Sequence, residues 1–148
     1  MSELRELYQQ VILDHNRQPK NFRAMEGDHV HADGHNPLCG DKLRVYLHVQ
    51  DDRIADVSFL GEGCAISKAS ASLMTQALKG KTLSEARAIF DDFHSMVTQD
   101  DAQPSERLGK LAVFSGVREF PVRVKCATLA WHTLGAALDD SGDKVSTE

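Results

Sequence analysis

Cysteine is scarce in this chain, with three residues among 148, at positions 39, 64 and 126. An odd number cannot pair completely within one molecule, so a disulfide framework is excluded and metal binding or thiol chemistry is the better expectation. Proline is equally sparse at four residues, which excludes Pro-rich low-complexity architecture. Basic charge is in deficit: 17 Lys and Arg against 22 Asp and Glu give a net charge of −5, so a nucleic-acid surface or an anionic-membrane surface is not expected. No apolar run reaches the roughly 18 residues needed to cross a membrane, and no basic-then-apolar stretch resembles a signal peptide. A soluble, cytoplasmic protein is the expectation. With 41% hydrophobic and 26% charged residues, positions 1–148 read as one globular domain that can bury its own core without staples. A metal in such a domain is expected to serve function rather than folding.

What the chain does have is clear periodicity. Leu4, Leu7, Tyr8, Val11 and Ile12 fall at helical spacing over Ser2 to His15, with Ser2 a candidate cap. Asn16 to Gly27 reads as a loop, and Asp28 to Gly34 as a weakly alternating edge strand. Leu43 to Val49 alternates well, Gln50 to Arg53 is a polar turn, and Ile54 to Leu60 is a second apolar run, together predicting a β-hairpin. Helices follow at Ala65 to Lys79, at Ser84 (as N-cap) to Val97, at Ser105 to Phe114, and from Val122 or Lys125 to Leu138. Gln99 to Pro104 and Gly116 to Pro121 read as breaks, and Asp139 to Glu148 as a frayed polar tail. Strands first and helices after predict an α+β domain: a small three-stranded antiparallel sheet with helices on one face.

Each cysteine sits in a short segment suited to holding a metal. These are Asn36-Pro37-Leu38-Cys39-Gly40-Asp41, Gly61-Glu62-Gly63-Cys64-Ala65-Ile66-Ser67 and Phe120-Pro121-Val122-Arg123-Val124-Lys125-Cys126-Ala127. Buried cysteine is often just a small apolar core residue. The flanking Gly, Asp and cationic residues argue against that reading here. Gly40 lets the backbone turn so that Cys39 and Asp41 face one centre. Cys64 stands at a strand-to-helix junction and Cys126 in the expected first turn of the last helix, where partial positive charge favours a thiolate. Three thiolates and Asp41 make a complete tetrahedral zinc ligand set of about −2 net charge. Arg123 and Lys125 are candidate counter-charges. No CxxC pair is present, and a carboxylate is a hard, exchangeable ligand, so the site reads as dynamic rather than purely structural. Of the seven histidines, His31 and His35 approach Cys39 and offer an alternative Cys₃His set. The other histidines read as surface or boundary residues, and Trp131, Leu134 and Leu138 as core or interface.

These three motifs, with Ala69-Ser70-Ala71-Ser72 after the second, resemble the IscU/NifU-like iron–sulfur assembly family over nearly the whole chain, from Leu4-Arg5-Glu6-Leu7-Tyr8 to Trp131. The resemblance is nearest to the family's SufU branch. The IscU scaffold has a His directly before its third Cys, where Lys125 stands here, and a shorter stretch between the second and third Cys. The resemblance implies zinc on Cys39, Asp41, Cys64 and Cys126. It implies a sulfurtransferase-like role in which Cys39 accepts persulfide sulfur from a PLP-dependent cysteine desulfurase of SufS type. Docking then rearranges the zinc ligands, and the sulfur passes to downstream iron–sulfur assembly proteins. Arg123 and Lys125 support the reaction electrostatically or touch the partner.

Two other readings compete: a scaffold that binds iron or a 2Fe–2S cluster on the same thiolates, and a zinc-stabilised interaction module without chemistry. A cysteine hydrolase is disfavoured, because no histidine stands in a motif that commits it to catalysis.

Overall fold

A computed structural model describes residues 2–99, 105–139 and 145–146. Helix α1 (Ser2–Arg17) leads into an irregular segment, then strands β1 (Val30–Asn36), β2 (Asp41–Gln50) and β3 (Arg53–Glu62). Helices α2 (Ala65–Leu78) and α3 (Leu83–Thr98), a 3₁₀ segment (Glu106–Glu119), helix α4 (Pro121–Leu138) and a two-residue strand β4 (Val145–Ser146) complete the order. The α+β expectation holds: β1, β2 and β3 form an antiparallel meander in the order β3-β2-β1, and β4 adds a short parallel pairing to β1 at Gly34 and His35. Of the tail expected to fray, Val145–Ser146 therefore pairs. Positions 140–144 and 147–148 lie outside the described residues, as do 100–104 of the expected break.

Alternation decides which sheet face is buried. Leu43, Val45 and Leu47 of β2 and Val57 and Phe59 of β3 are essentially inaccessible and form the floor of the core. The β2–β3 turn places Asp51 and Asp52 at φ 55° and 61°. Two consecutive left-handed residues fit the right-handed twist of a two-residue hairpin. The outer edge of β3 is closed by the irregular segment, through Arg23 N–H to Phe59 O (3.0 Å) and Phe59 N–H to Asn21 O (3.0 Å). β4 covers β1 only at Gly34 and His35, and the strap covers β3 at Phe59.

Helices α2 and α4 lie against the sheet and are tied to each other. Ser70 Oγ donates to Ala127 O at 2.6 Å and accepts from Trp131 Nε1 at 3.1 Å. Trp131 stacks on Phe93 of α3 at 4.5 Å between ring centroids, and Phe93 meets Phe114 of the 3₁₀ segment edge-on. This aromatic column joins α3, α4 and the 3₁₀ segment into the core. Helix α1 packs on α2, where His15 Nδ1 and Ser72 Oγ lie 2.7 Å apart.

Several local expectations are corrected. Leu7, expected in the buried stripe of α1, is 59% exposed, and His15 takes a buried position instead. The side chains of Ser2 and Leu4 lie outside the described part. The N-cap of α3 is Thr82, not Ser84: Thr82 Oγ1 and the Glu85 carboxylate satisfy each other's backbone N–H in a capping box. Strand β1 is shifted two residues later than expected, because its end is fixed by the Asn36–Asp41 pair across the next turn. The stretch Gly116 to Pro121 is not a linker. The 3₁₀ segment, kinked at Gly109, runs through Glu119, and Pro121 opens α4. Proline suits a first helical position, since its missing N–H has no partner to lose there. Cys126 is therefore the sixth residue of α4, in its second turn rather than its first.

Candidate metal centre

The sheet register brings the site together. β1 and β2 are joined by the turn at positions 37–40, closed by the Asn36–Asp41 pair and by Cys39 N–H to Asn36 O (3.3 Å). Gly40 takes a φ of 71°, which lets the turn close with Cys39 on one side and Asp41 on the other. β2 pairs with β3 so that Lys42 faces Glu62, and the chain leaving β3 passes directly beside Asp41. A Cβ on Gly63 would collide with the Asp41 carboxylate, and its φ of 155° suits glycine. That bare backbone lets Cys64 N–H reach Asp41 Oδ1 at 2.8 Å.

The sulfurs converge from three directions. Cys64 is the N-cap of α2, and its Sγ accepts from Ser67 N–H at 3.4 Å. Cys126 enters from α4 and is 2% exposed. The Sγ atoms of Cys126 and Cys39 lie 3.2 Å apart. Ligand atoms of Cys39, Asp41 and Cys126 all fall within 4.8 Å of one another. Cys64 stands outside that mutual set but keeps its Sγ 3.9 Å from Asp41 Oδ2. Zn–S bonds near 2.3 Å in a tetrahedron place neighbouring ligands about 3.7 Å apart. The observed 3.2 and 3.9 Å separations bracket that spacing, and the donor chemistry of three sulfurs and a carboxylate suits a thiophilic ion, with Cys64 having to move closer to complete the set.

Protonation is unevenly shared. The hydrogen bond from the Cys126 thiol, with smaller help from the Ser67 and Ile66 N–H groups, lowers the Cys64 pKa to about 7, against burial and the Asp41 charge. The same bond to Cys64, burial, and the bond to Cys39 push the Cys126 thiol far up. Of these two thiols Cys64 is therefore the more readily ionised. The lowered pKa expected for Cys126 at a helix start is corrected by its deeper position and its thiolate neighbour. A cation held by these residues would require their thiols to be deprotonated, so its binding would release protons.

Sequence reasoning gave no role to Asn36. Fully buried, it donates from Nδ2 to Asp41 Oδ2 (3.1 Å) and to Cys126 Sγ (3.4 Å), orienting two candidate ligands at once. Its only signal was its place in the motif around Cys39. Arg123 is exposed, with its guanidinium 4.4 Å from the centre of the Phe120 ring. Among the described residues no hydrogen bond or ion pair joins Arg123 or Lys125 to the four candidate ligands. His31 stands beside His29 and Tyr46 instead, and neither it nor His35 joins the cluster.

Comparison with known proteins identifies the family. The NifU-like N terminal domain model matches residues 7–127. The zinc-dependent sulfurtransferase SufU of Bacillus subtilis (strain 168) is 42% identical over 139 residues, covering 93% of this chain and 94% of that protein. The iron–sulfur cluster assembly scaffold protein IscU of Streptococcus pyogenes serotype M1 is 38% identical over 143 residues, covering 97% and 89%. A crystal structure of a putative iron–sulfur cluster assembly scaffold protein for the SUF system from Fervidobacterium islandicum AW-1 superposes with a TM-score of 0.80 at 36% identity, covering 86% of this chain and 93% of that one. With its meander, its converging cysteines and matches across most of its length, the chain belongs to the NifU-like N-terminal domain family, the IscU- and SufU-type proteins of iron–sulfur cluster assembly.

Proposed function

We propose that this chain is a zinc-holding sulfur acceptor that takes persulfide sulfur from a PLP-dependent cysteine desulfurase of SufS type and passes it to iron–sulfur assembly proteins. Cys39, Asp41, Cys64 and Cys126 would hold the ion. Zinc, when bound, would keep the thiols ionised while moderating their nucleophilicity.

The observation that carries the reading is the unequal seating of the three sulfurs. Cys126 is buried on α4, and Cys64 is fixed as a helix cap. Cys39 is half-buried on a four-residue turn, beside Leu38 at 61% exposure. Cys39 and Cys64 are both half-buried, and Cys39, seated on a turn rather than as a helix cap, is the sulfur that can be drawn toward a docked partner without opening a helix end. Its thiolate attacks the outer sulfur of a persulfide on the desulfurase's own cysteine. A new S–S bond forms at Cys39, the donor's S–S bond breaks, and the electron pair leaves on the donor sulfur as a thiolate. No outside oxidant or reductant enters. Arg123 and Lys125, at the start of α4, offer positive charge to the partner or to the departing thiolate.

The test is desulfurase turnover with wild type and Cys39→Ala, together with mass analysis of this chain. Wild type should accelerate turnover and gain one sulfur atom on the Cys39 peptide, and Cys39→Ala should do neither. Equal turnover with the variant would remove Cys39 as acceptor. The names of the IscU relatives favour a second reading, a scaffold carrying iron or a 2Fe–2S cluster on the same thiolates. Metal analysis of protein purified without reconstitution separates the two: stoichiometric zinc and a colourless sample support transfer, and a brown iron–sulfide protein supports the scaffold.

A further inference from the structure

The outer face of β1 carries a pattern that the thiolate centre does not use. His31, Asp33 and His35 alternate with buried Ala32, Gly34 and Asn36, and His29 precedes the strand two residues before His31. A spacing of two places side chains on one face of an extended chain. The sequence His29-Val30-His31 thus sets two imidazoles side by side, with ring centroids 5.8 Å apart and planes inclined by 39°. Tyr46 of β2, 8% exposed, lies against both rings at 5.4 and 6.0 Å.

Three details favour coordination over simple stacking. First, His29 Nδ1 bonds Gly27 O at 2.9 Å, so its proton sits on Nδ1 and Nε2 keeps a lone pair. An imidazole held through one nitrogen by a backbone carbonyl is the usual arrangement of a metal-ligating histidine. Second, His31 is exposed, and among the described residues no hydrogen bond occupies its ring, so its imidazole is free to turn toward its neighbour. Third, Arg44 of the neighbouring strand is engaged by Asp33, through Nε (2.7 Å) and Nη2 (3.1 Å), so its charge is already paired.

We propose that His29 and His31 form a second cation site, separate from the thiolate centre, that takes a divalent first-row transition metal through two imidazole nitrogens, with water completing the shell. Imidazole suits nickel, copper and zinc, whereas calcium and magnesium prefer oxygen. The site lies on the open face of the sheet, so loading it requires no change in the core.

The experiment is Ni²⁺ binding to the full chain after its thiolates have been filled with zinc, followed by calorimetry and by the near-ultraviolet spectrum. Strong sulfur-to-nickel absorption marks any Ni²⁺ that entered the cysteine site. The expected result is one added equivalent of Ni²⁺ without that absorption, weakened by about tenfold or more in both His29→Ala and His31→Ala. His94→Ala removes one member of the other close histidine pair, with His132 (ring centroids 5.9 Å apart), and should leave binding unchanged. His31→Gln keeps a polar side chain at this exposed position and should fold as wild type while binding as weakly as His31→Ala. No added equivalent, an equivalent that carries sulfur absorption, or one that survives either histidine substitution overturns the proposal.

Discussion

The candidate centre has two unlike sides. On one, Cys64 and Cys126 are held by helices: α2 is capped by Cys64, α4 buries Cys126, and Ser70 bonds one helix to the other. On the other, Cys39 hangs on a turn at positions 37–40, one of whose few described backbone bonds is that to Asn36 O. Asp41 stands between them, fully buried and gripped by Cys64 N–H and Asn36 Nδ2. Under the proposed function, this difference separates the roles of the ligands. A framework that fixes two sulfurs and a carboxylate can keep an ion in place while the third sulfur is withdrawn.

The largest effect should come from breaking the fixed side. Trp131→Ala removes the ring stacked on Phe93 and the indole N–H that bonds Ser70 Oγ, so a loss of about 3–5 kcal/mol in unfolding free energy is expected. Urea denaturation measures it. A loss below about 1 kcal/mol would mean that the two helices are not held together through this contact.

The next effect concerns the carboxylate between the two sides. Asn36→Ala deletes the amide that orients both Asp41 and Cys126, and should weaken zinc affinity by about 10–100-fold, measured by competition with a chromogenic chelator. Affinity equal to wild type would reduce Asn36 to a β-turn residue.

A third test needs no mutation. In metal-free protein, alkylation of Cys64 should rise steeply as pH increases through about 7, because its thiolate is stabilised by the Cys126 hydrogen bond. Cys126 should resist alkylation throughout, being buried and holding its proton. Peptide mass analysis reads both at once. Faster modification of Cys126 than of Cys64 would reverse the assignment of the proton.

How far the sequence revealed this asymmetry depends on how local each cause is. The alternation of Leu43 to Val49 and the strand-to-helix junction at Cys64 are visible within a few residues, and both are found. The start of α4 was obscured because Pro121 reads equally as a break and as a first helical residue, and only the packing of Val124 on the core decides between them. That shift of one to four residues moved Cys126 a turn deeper, while the upward direction of its pKa comes from its bond to Cys64, its burial and its bond to Cys39, none of them readable from local sequence. The capping box at Thr82 was legible in the spacing Thr82-x-x-Glu85 and was passed over for Ser84. Asn36 could not be read out, since its partner Cys126 lies 90 positions away. His29 and His31 were visible as a period-two pair, but sequence proximity drew His31 toward Cys39, whereas the pleat turns it to the opposite face.

The smallest effect on stability should accompany Leu38→Ser, and it tests the turn side of the comparison. Leu38 is the residue before Cys39 and is 61% exposed, so little apolar area is lost on folding by replacing it. Its unfolding free energy should stay within about 0.5 kcal/mol of wild type, and zinc content should be unchanged. Under the proposed function, an exposed leucine beside the acceptor sulfur would serve as an anchor for a docked enzyme, because binding would desolvate it. The half-saturating concentration for desulfurase activation should therefore rise, with maximal turnover preserved, since Cys39 itself is intact. Unchanged half-saturation would detach the turn from partner binding. A fall in zinc content would instead show that the turn helps to retain the ion, and that the two sides of the centre are less separate than their hydrogen bonds imply.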